Sequence, residues 1–374
     1  MRRISIYMRY MLVLGMTVWI AGCGGGKQQE DQIQEEAAQE TQQEEEELTA
    51  EDTEYRSYLT GLPVTEEEMR QRPLAVMLGN REENCPQKGL EDASVIYEAP
   101  VEGRVTRLMG IYENLEDLGD IGYIRSSRDY FVYFAGEFDA YYAHFGQATP
   151  YVGELLNSDR VDNLSGAVAG IDNPAPNSFV RTSDRKAPNN VALSIKGMLG
   201  DIEKFGYRKE IREEYVPKFT FAPVDAPVTY EDEADALVLY PGGKEGSSGN
   251  GYSLPEVRFE YNPEDGRYYR WQYGAEHVEE NTGEQIAVDN VIFQYCHGEV
   301  RDENDYLAFG CHGEDDYKVQ VFTGGKMVEG TWNRSRDEVP ALYTDENGDP
   351  IVLNPGKTWV CIIWLEYGDD VVVE

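Results

Sequence analysis

Short apolar runs alternate with stretches of helical spacing between residues 61 and 215. Leu74–Leu78 follows Pro73 as an unbroken apolar stretch and stops at Gly79-Asn80, which predicts a buried strand leading into a loop. Ser94–Tyr97, Arg107–Tyr112 and Gly122–Ile124 predict further strands, and Asp139–Phe145 another with alternating aromatics. Tyr130, Phe131, Phe134 and Phe138 recur at helical spacing behind Ser126-Ser127, predicting a capped helix over Asp129–Glu137. Thr149-Pro150 opens a second helix, Tyr151–Leu156. Leu193, Met198, Leu199 and Ile202 predict a third over Asn190–Phe205, stopped by Gly206. The alternation argues for an α/β layered N-terminal domain over residues 61–215.

Pro217, Pro223 and Pro227 mark a joint, after which strands and turns dominate. Val257–Tyr261 with Arg267–Tyr273, Tyr317–Phe322 with Lys326–Trp332, and Ala341–Thr344 with Ile351–Leu353 predict three hairpins across Gly- and Asp-rich turns. Thr358–Leu365 closes the set. This predicts a β-rich (α+β) C-terminal domain over 225–374, and the length from 61 to 374 fits two domains.

The N-terminus has a different character. Arg2, Arg3 and Arg9 precede an apolar stretch, Met11–Ala21, too short for a comfortable membrane span. Ile20-Ala21-Gly22 then places small residues before Cys23. Residues 1–22 read as a lipoprotein signal peptide, with the Cys23 thiol receiving diacylglycerol, palmitate among its expected acyl groups, and the Cys23 amine becoming the mature N-terminus. The expected location is the extracytoplasmic face of the cell membrane, held by the lipid anchor. Residues 23–60 read as an acidic, disordered tether: 24–60 carry 12 acidic residues against Lys27 and Arg56. The whole chain has 33 Lys+Arg against 70 Asp+Glu and a net charge of -37, which excludes a nucleic-acid binder because phosphates meet a repulsive mean field.

Four cysteines remain beyond Cys23: Cys85, Cys296, Cys311 and Cys361. They are too few for a disulfide scaffold. The repeated pairs Cys296-His297 and Cys311-His312 invite a zinc reading, but neighbours on a strand point to opposite faces, so no metal is assigned. Buried thiols are expected, with a Cys296–Cys311 bridge as the alternative. No cofactor is expected.

Ordered blocks carry a family likeness. TGLPV (60–64), RPLAVMLGN (72–80), GLEDASVIYEAPVEGRVTRLMGIY (89–112), IGYIRSSRDYF (121–131), FDAYYAHFGQATPY (138–151), RKAPNN (185–190), DNVIFQY (289–295), FTGGKMVEGTWNR (322–334) and LNPGKTWVCI (353–362) together resemble the YerB-like bacterial lipoprotein family. The resemblance implies an anchored envelope protein with paired N- and C-terminal domains of unknown function and no established catalytic activity. Gly79, Phe145 with Gln147, and the Cys-His pairs depart from the family pattern.

Arginine concentrates in the first half of this acidic chain. Arg104 and Arg107 flank a strand start, Arg125 and Arg128 precede a helix, and Arg185 with Lys186 lie in a loop. Guanidinium groups fork onto phosphates and carboxylates, so convergence of these loops would make an anion-binding pocket. The competing reading is internal pairing with Glu98, Glu102, Asp129 and Asp184. Asp129, His144 and Glu98 are the candidate polar or catalytic groups. The expected function is binding of an envelope component, whether a glycan, a phosphate-bearing ligand or a protein partner.

The alternative is a phosphoryl- or glycan-active envelope enzyme. The Arg125–Asp129 stretch faintly resembles phosphotransferases that attach anionic polymers to peptidoglycan, which implies Arg125, Arg128 and Asp129 on a pyrophosphate-lipid and metal. Tyr261, Tyr268, Tyr269 and Tyr273 cluster in one hairpin with Trp271, where glycan stacking competes with ordinary cross-strand pairing. Replacing Cys23 by alanine is expected to abolish incorporation of a metabolic fatty-acid probe and to shift the protein into the soluble fraction. A labelled Cys23→Ala protein would disprove acylation at that thiol.

Overall fold

The computed structural model describes residues 54–374 apart from 167–168, 246–250, 253–256 and 337–338, so the signal segment, Cys23 and most of the acidic stretch lie outside the described residues. The folded body starts before Gly61: Ser57, Leu59 and Thr60 are buried, and Ser57 Oγ donates to Glu113 Oε1 at 2.6 Å.

A capping box on Thr65 opens α1 (Glu66–Arg70). There follow β1 (Leu74–Gly79), β2 (Val95–Val101), β3 (Val105–Tyr112), α2 (Asp129–Gly136), β4 (Tyr141–His144), α3 (Thr149–Leu156), β5 (Asn163–Ser165) and α4 (Ile195–Phe205). The second half supplies β6 (Arg258–Asn262), β7 (Arg267–Gln272), β8 (Asn290–Cys296), β9 (Gly313–Thr323), β10 (Lys326–Arg334) and β11 (Thr358–Trp364).

An eleven-stranded mixed sheet runs through both halves, in the central order β10-β9-β8-β11-β2-β3-β1-β4-β5. β2 and β11 lie parallel, with Ile96 opposite Trp359 and Glu98 opposite Cys361. Every residue of β2, β8 and β11 is buried, which accounts for their largely apolar sequences, interrupted by Glu98, Asn290, Gln294 and Thr358. One face of the sheet takes Tyr130, Phe131 and Phe134 of α2 with Val152 and Leu156 of α3. The other takes Met198 and Ile202 of α4, and Phe259 and Tyr268 from a second sheet built around β6 and β7.

Strand exceeds helix by 38% to 13%, so the fold is mostly β. The layered α/β pattern expected of residues 61–215 is confined to β1, β4 and β5, which are parallel and linked through α2 and α3. β2 and β3 are instead an antiparallel hairpin. Three local expectations also change. Val191–Leu193 is a strand, and the last helix starts only after Ser194, whose Oγ accepts from Gly197 N. Ser126-Ser127 does not cap α2; Arg128 holds that position, and Ser127 Oγ lies 2.8 Å from Tyr142 Oη. The expected hairpin of Ala341–Thr344 with Ile351–Leu353 closes only at its turn, where Thr344 bridges Pro350 and Ile351 N donates to the Tyr343 carbonyl at 3.0 Å; beyond it Leu342–Thr344 pairs with β10 and Val352–Leu353 with Thr220–Phe221.

Two buried carboxylates from the first half meet cations supplied after residue 215. On the α4 face, Glu98 Oε2 lies 2.9 Å from Arg270 Nη2, with both side chains 0% exposed. Thr106 Oγ1 (2.6 Å) and Trp359 Nε1 (3.1 Å) donate to the same carboxylate. Arg270 also lies 4.4 Å over the Trp359 ring. On the α2 face, Glu137 accepts from Lys218 Nζ at 2.7 Å and from Tyr97 Oη at 2.8 Å, with Arg334 Nη1 at 3.5 Å. Arg270→Met strands the Glu98 charge and is expected to cost about 3–5 kcal/mol of unfolding free energy. The double variant Glu98→Leu, Arg270→Met should lose clearly less. Urea unfolding of the purified chain measures both, and a double variant as unstable as the single one would refute a role for the stranded charge.

Candidate functional site

Four loops meet beside the β2–β3 turn. The segment after β1 brings Arg81 and Asn84, β3 brings Arg107, the approach to α2 brings Arg125 and Arg128, and the loop before Val191 brings Asn189. A Cβ on Gly103, which turns the β2–β3 hairpin at φ +78°, would lie 3.1 Å from Arg81 Nη2, so that guanidinium reaches across the turn. Arg107 is nine-tenths buried and donates from Nη1 to the Ser126 carbonyl at 2.6 Å. Arg125 Nη1 donates to Asn189 Oδ1 at 2.5 Å, and Asn84 Nδ2 shares that oxygen at 3.0 Å. Arg128 grips Glu102 in a bidentate pair, Nε at 2.7 Å and Nη2 at 2.5 Å.

These cations repel one another. Burial, then the neighbouring charges of Arg128 and Arg125, lower the Arg107 pKa to about 9 despite the opposing pull of Glu102. Burial followed by Arg81 also lowers Arg125. Among the described residues neither Arg107 nor Arg125 forms an ion pair; their partners are a carbonyl and an amide oxygen. A desolvated guanidinium without a direct ion-pair partner is costly, and a bound anion would offset that cost.

The remaining candidates lie elsewhere. Arg104 is exposed on the hairpin turn at φ 59°. Arg185 donates to the carbonyls of Glu83 (3.0 Å) and Pro86 (2.6 Å), pairs with Glu280, and lies 4.0 Å over Tyr123. Lys186 is exposed. Asp129 is held by Arg301 Nη2 at 2.6 Å. His144 is sealed in the core, Nδ1 2.7 Å from the Gly146 carbonyl and Nε2 2.9 Å from Asn163 Oδ1, and burial lowers its pKa to about 4. It is neutral at neutral pH. Glu98 belongs to the buried latch. Arg125, Arg128 and Asp129 therefore each engage a different partner. Sequence reasoning missed Arg81, Asn84 and Asn189; Arg81 follows the Gly79-Asn80 strand end, the one local signal for it.

The Cys-His pairs diverge, although His297, Cys311 and His312 lie just outside the strands. Cys296 and Cys311 are buried, His297 Nδ1 lies 2.8 Å from Glu366, and His312 packs edge-on to Tyr133. All four thiols among the described residues are unbridged, and burial pushes Cys85 and Cys296 up to about 12.

Comparison with known proteins gives a consistent result. Residues 59–208 match the N-terminal domain, and 249–360 the C-terminal domain, of a protein family of unknown function, DUF3048. YerB of Bacillus subtilis (strain 168), whose name marks it as a proposed lipoprotein, is 26% identical over 305 residues, covering 82% of this chain and 85% of YerB. The crystal structure of Bacillus subtilis YerB superposes with a TM-score of 0.70 at 23% identity, over 86% of this chain and all of that one, which supports the fold. With both family regions present in order, the chain belongs to the YerB-like DUF3048 family.

Proposed function

We propose that this chain is a lipid-anchored extracytoplasmic protein that binds a phosphate- or carboxylate-bearing envelope ligand at Arg81, Arg107 and Arg125. The observation that carries the reading is the pair of buried or half-buried guanidinium groups, Arg107 and Arg125, with no carboxylate paired to either among the described residues. The lipobox at Cys23 and the name of YerB support the anchor. Binding without turnover is favoured over phosphoryl transfer. A transferase would need Asp129 for a metal or a proton, and Arg301 occupies that carboxylate at 2.6 Å.

The anion reading makes two linked claims about Arg107. Arg107→Gln removes a buried unpaired charge, so the ligand-free protein should unfold at an unchanged or higher temperature. The same change should erase stabilisation by pyrophosphate, which for an intact site saturated at 100 times its dissociation constant is about 2.7 kcal/mol. Thermal unfolding of wild type, Arg107→Gln and Arg125→Gln with and without pyrophosphate provides the measurement. Equal stabilisation of all three proteins would remove this site.

A further inference from the structure

The hairpin β6–β7 presents a second surface whose chemistry is opposite to that of the arginine cluster. Burial along β7 alternates strictly: Tyr268, Arg270 and Gln272 are buried, while Arg267, Tyr269 and Trp271 are partly exposed. The inner set serves the core and the Glu98 latch. The outer set faces solvent beside Arg258 and Glu260, which pair across the ladder with Trp271 and Tyr269. Two rings thus stand on one face of one strand, two residues or about 7 Å apart.

Both rings are held in place. Tyr269 Oη donates to Asp265 at 2.5 Å, and the Arg258 guanidinium covers the Trp271 ring at 4.4 Å while its Nε donates to Glu260 Oε1 at 2.6 Å. The two rings line an open groove of about 270 Å³ together with Glu260, Asn262 and Gln285. Glu260, Asn262 and Gln285 bring polar side chains to it, whereas Trp271 Nε1 is shielded from solvent. Gln285 donates its amide to the Arg270 carbonyl at 2.8 Å, which fixes the side chain and leaves Oε1 as an acceptor.

Two partly exposed rings beside a carboxylate and two side-chain amides fit the alternating C–H and hydroxyl surfaces of a pyranose ring. Charge selects among sugar polymers. Glu260 lines the groove, Asp265 accepts from Tyr269 and Glu276 lies opposite Trp271 across the ladder, while Arg258 is paired with Glu260 and Arg267 donates to the Ala287 carbonyl, so the carboxylates disfavour a polyanion where a neutral, hydroxyl- or acetamido-bearing chain is accepted. We propose that the outer face of β6–β7 is a binding platform for an uncharged glycan, packed against the partly exposed rings of Tyr269 and Trp271.

The test is titration of the purified chain with β-1,4-linked N-acetylglucosamine trisaccharide and with cellotriose, read by calorimetry. Saturable binding of at least one is expected. Trp271→Ala and Tyr269→Ala should each weaken it by about tenfold or more, Trp271→Phe should retain part of it, and Glu260→Gln should weaken it less than loss of either ring. All these residues face outward, so unfolding midpoints should stay near that of the wild type. Arg107→Gln should bind the sugar normally, which keeps failure here separate from failure of the anion site. Absence of saturable binding to both sugars, or wild-type affinity in Trp271→Ala and Tyr269→Ala, would overturn the proposal. So would preferential binding of an anionic polymer, polygalacturonate, at the same residues.

Discussion

One carboxylate governs how the two halves of this chain meet. Glu98 stands on β2 with its side chain on the α4 face, 0% exposed. A charge so far from water survives only with a well-placed partner and with its other lone pairs occupied. Thr106 comes from the neighbouring β3, but Arg270 comes from β7 and Trp359 from β11. The pair is satisfied only when β11 lies beside β2 in the observed register and the second sheet covers that face. A slip of one residue would turn Glu98 to the α2 face, away from Arg270. Glu137, with Lys218 and Arg334, imposes the same demand from the other side. The two family regions consequently share one sheet, although about 40 residues separate them in sequence.

This economy of charge explains why the arginine cluster exists in so acidic a protein. Three carboxylates near the arginines in sequence are engaged, Glu98 with Arg270, Asp129 with Arg301 and Glu102 with Arg128. Arg270 and Arg301 both arrive from the second half and outcompete local partners that sequence proximity suggests. Arg107 and Arg125 are left with a carbonyl and an amide oxygen. The net charge of -37 does not neutralise them, since salt screens exposed charges beyond about 8 Å. It does oppose long-range attraction of anions, so selectivity at this site rests on short hydrogen bonds rather than on steering.

Much of the strand content was legible because β1, β2, β3 and β11 are buried enough to read as apolar runs. The β6–β7 hairpin was legible from its Asn-Pro-Glu-Asp-Gly turn. Pairing was not. Nothing local tells β2 that its neighbour is β11, some 260 residues later, and hydrophobicity alone cannot distinguish the antiparallel β2–β3 hairpin from one arm of a βαβ unit. Ser194 illustrates the boundary problem: Val191–Leu193 carry the apolar spacing of α4 into a strand, and only the cap geometry separates them. Of the cationic candidates, Arg107, Arg125 and Arg128 converge while Arg185 and Arg104 do not, because loop paths decide convergence and residue type does not encode them. Arg81 joins for the same reason.

The outer face of β7 shows how far alternation carries. Its i, i+2 pattern assigns Tyr268, Arg270 and Gln272 to the interior and Tyr269 and Trp271 to solvent, a division that aromatic content alone cannot make. The interior set is committed to the latch, so the strand cannot be re-registered to hide its rings without exposing Arg270 and stranding Glu98. Two aromatic side chains are thereby kept at the surface by an electrostatic requirement on the opposite face of the same strand. Anchoring at Cys23 would hold such a surface at high local concentration beside its ligands, where modest affinity at each site suffices. A shallow ring platform and a small cationic cluster are consistent with that economy.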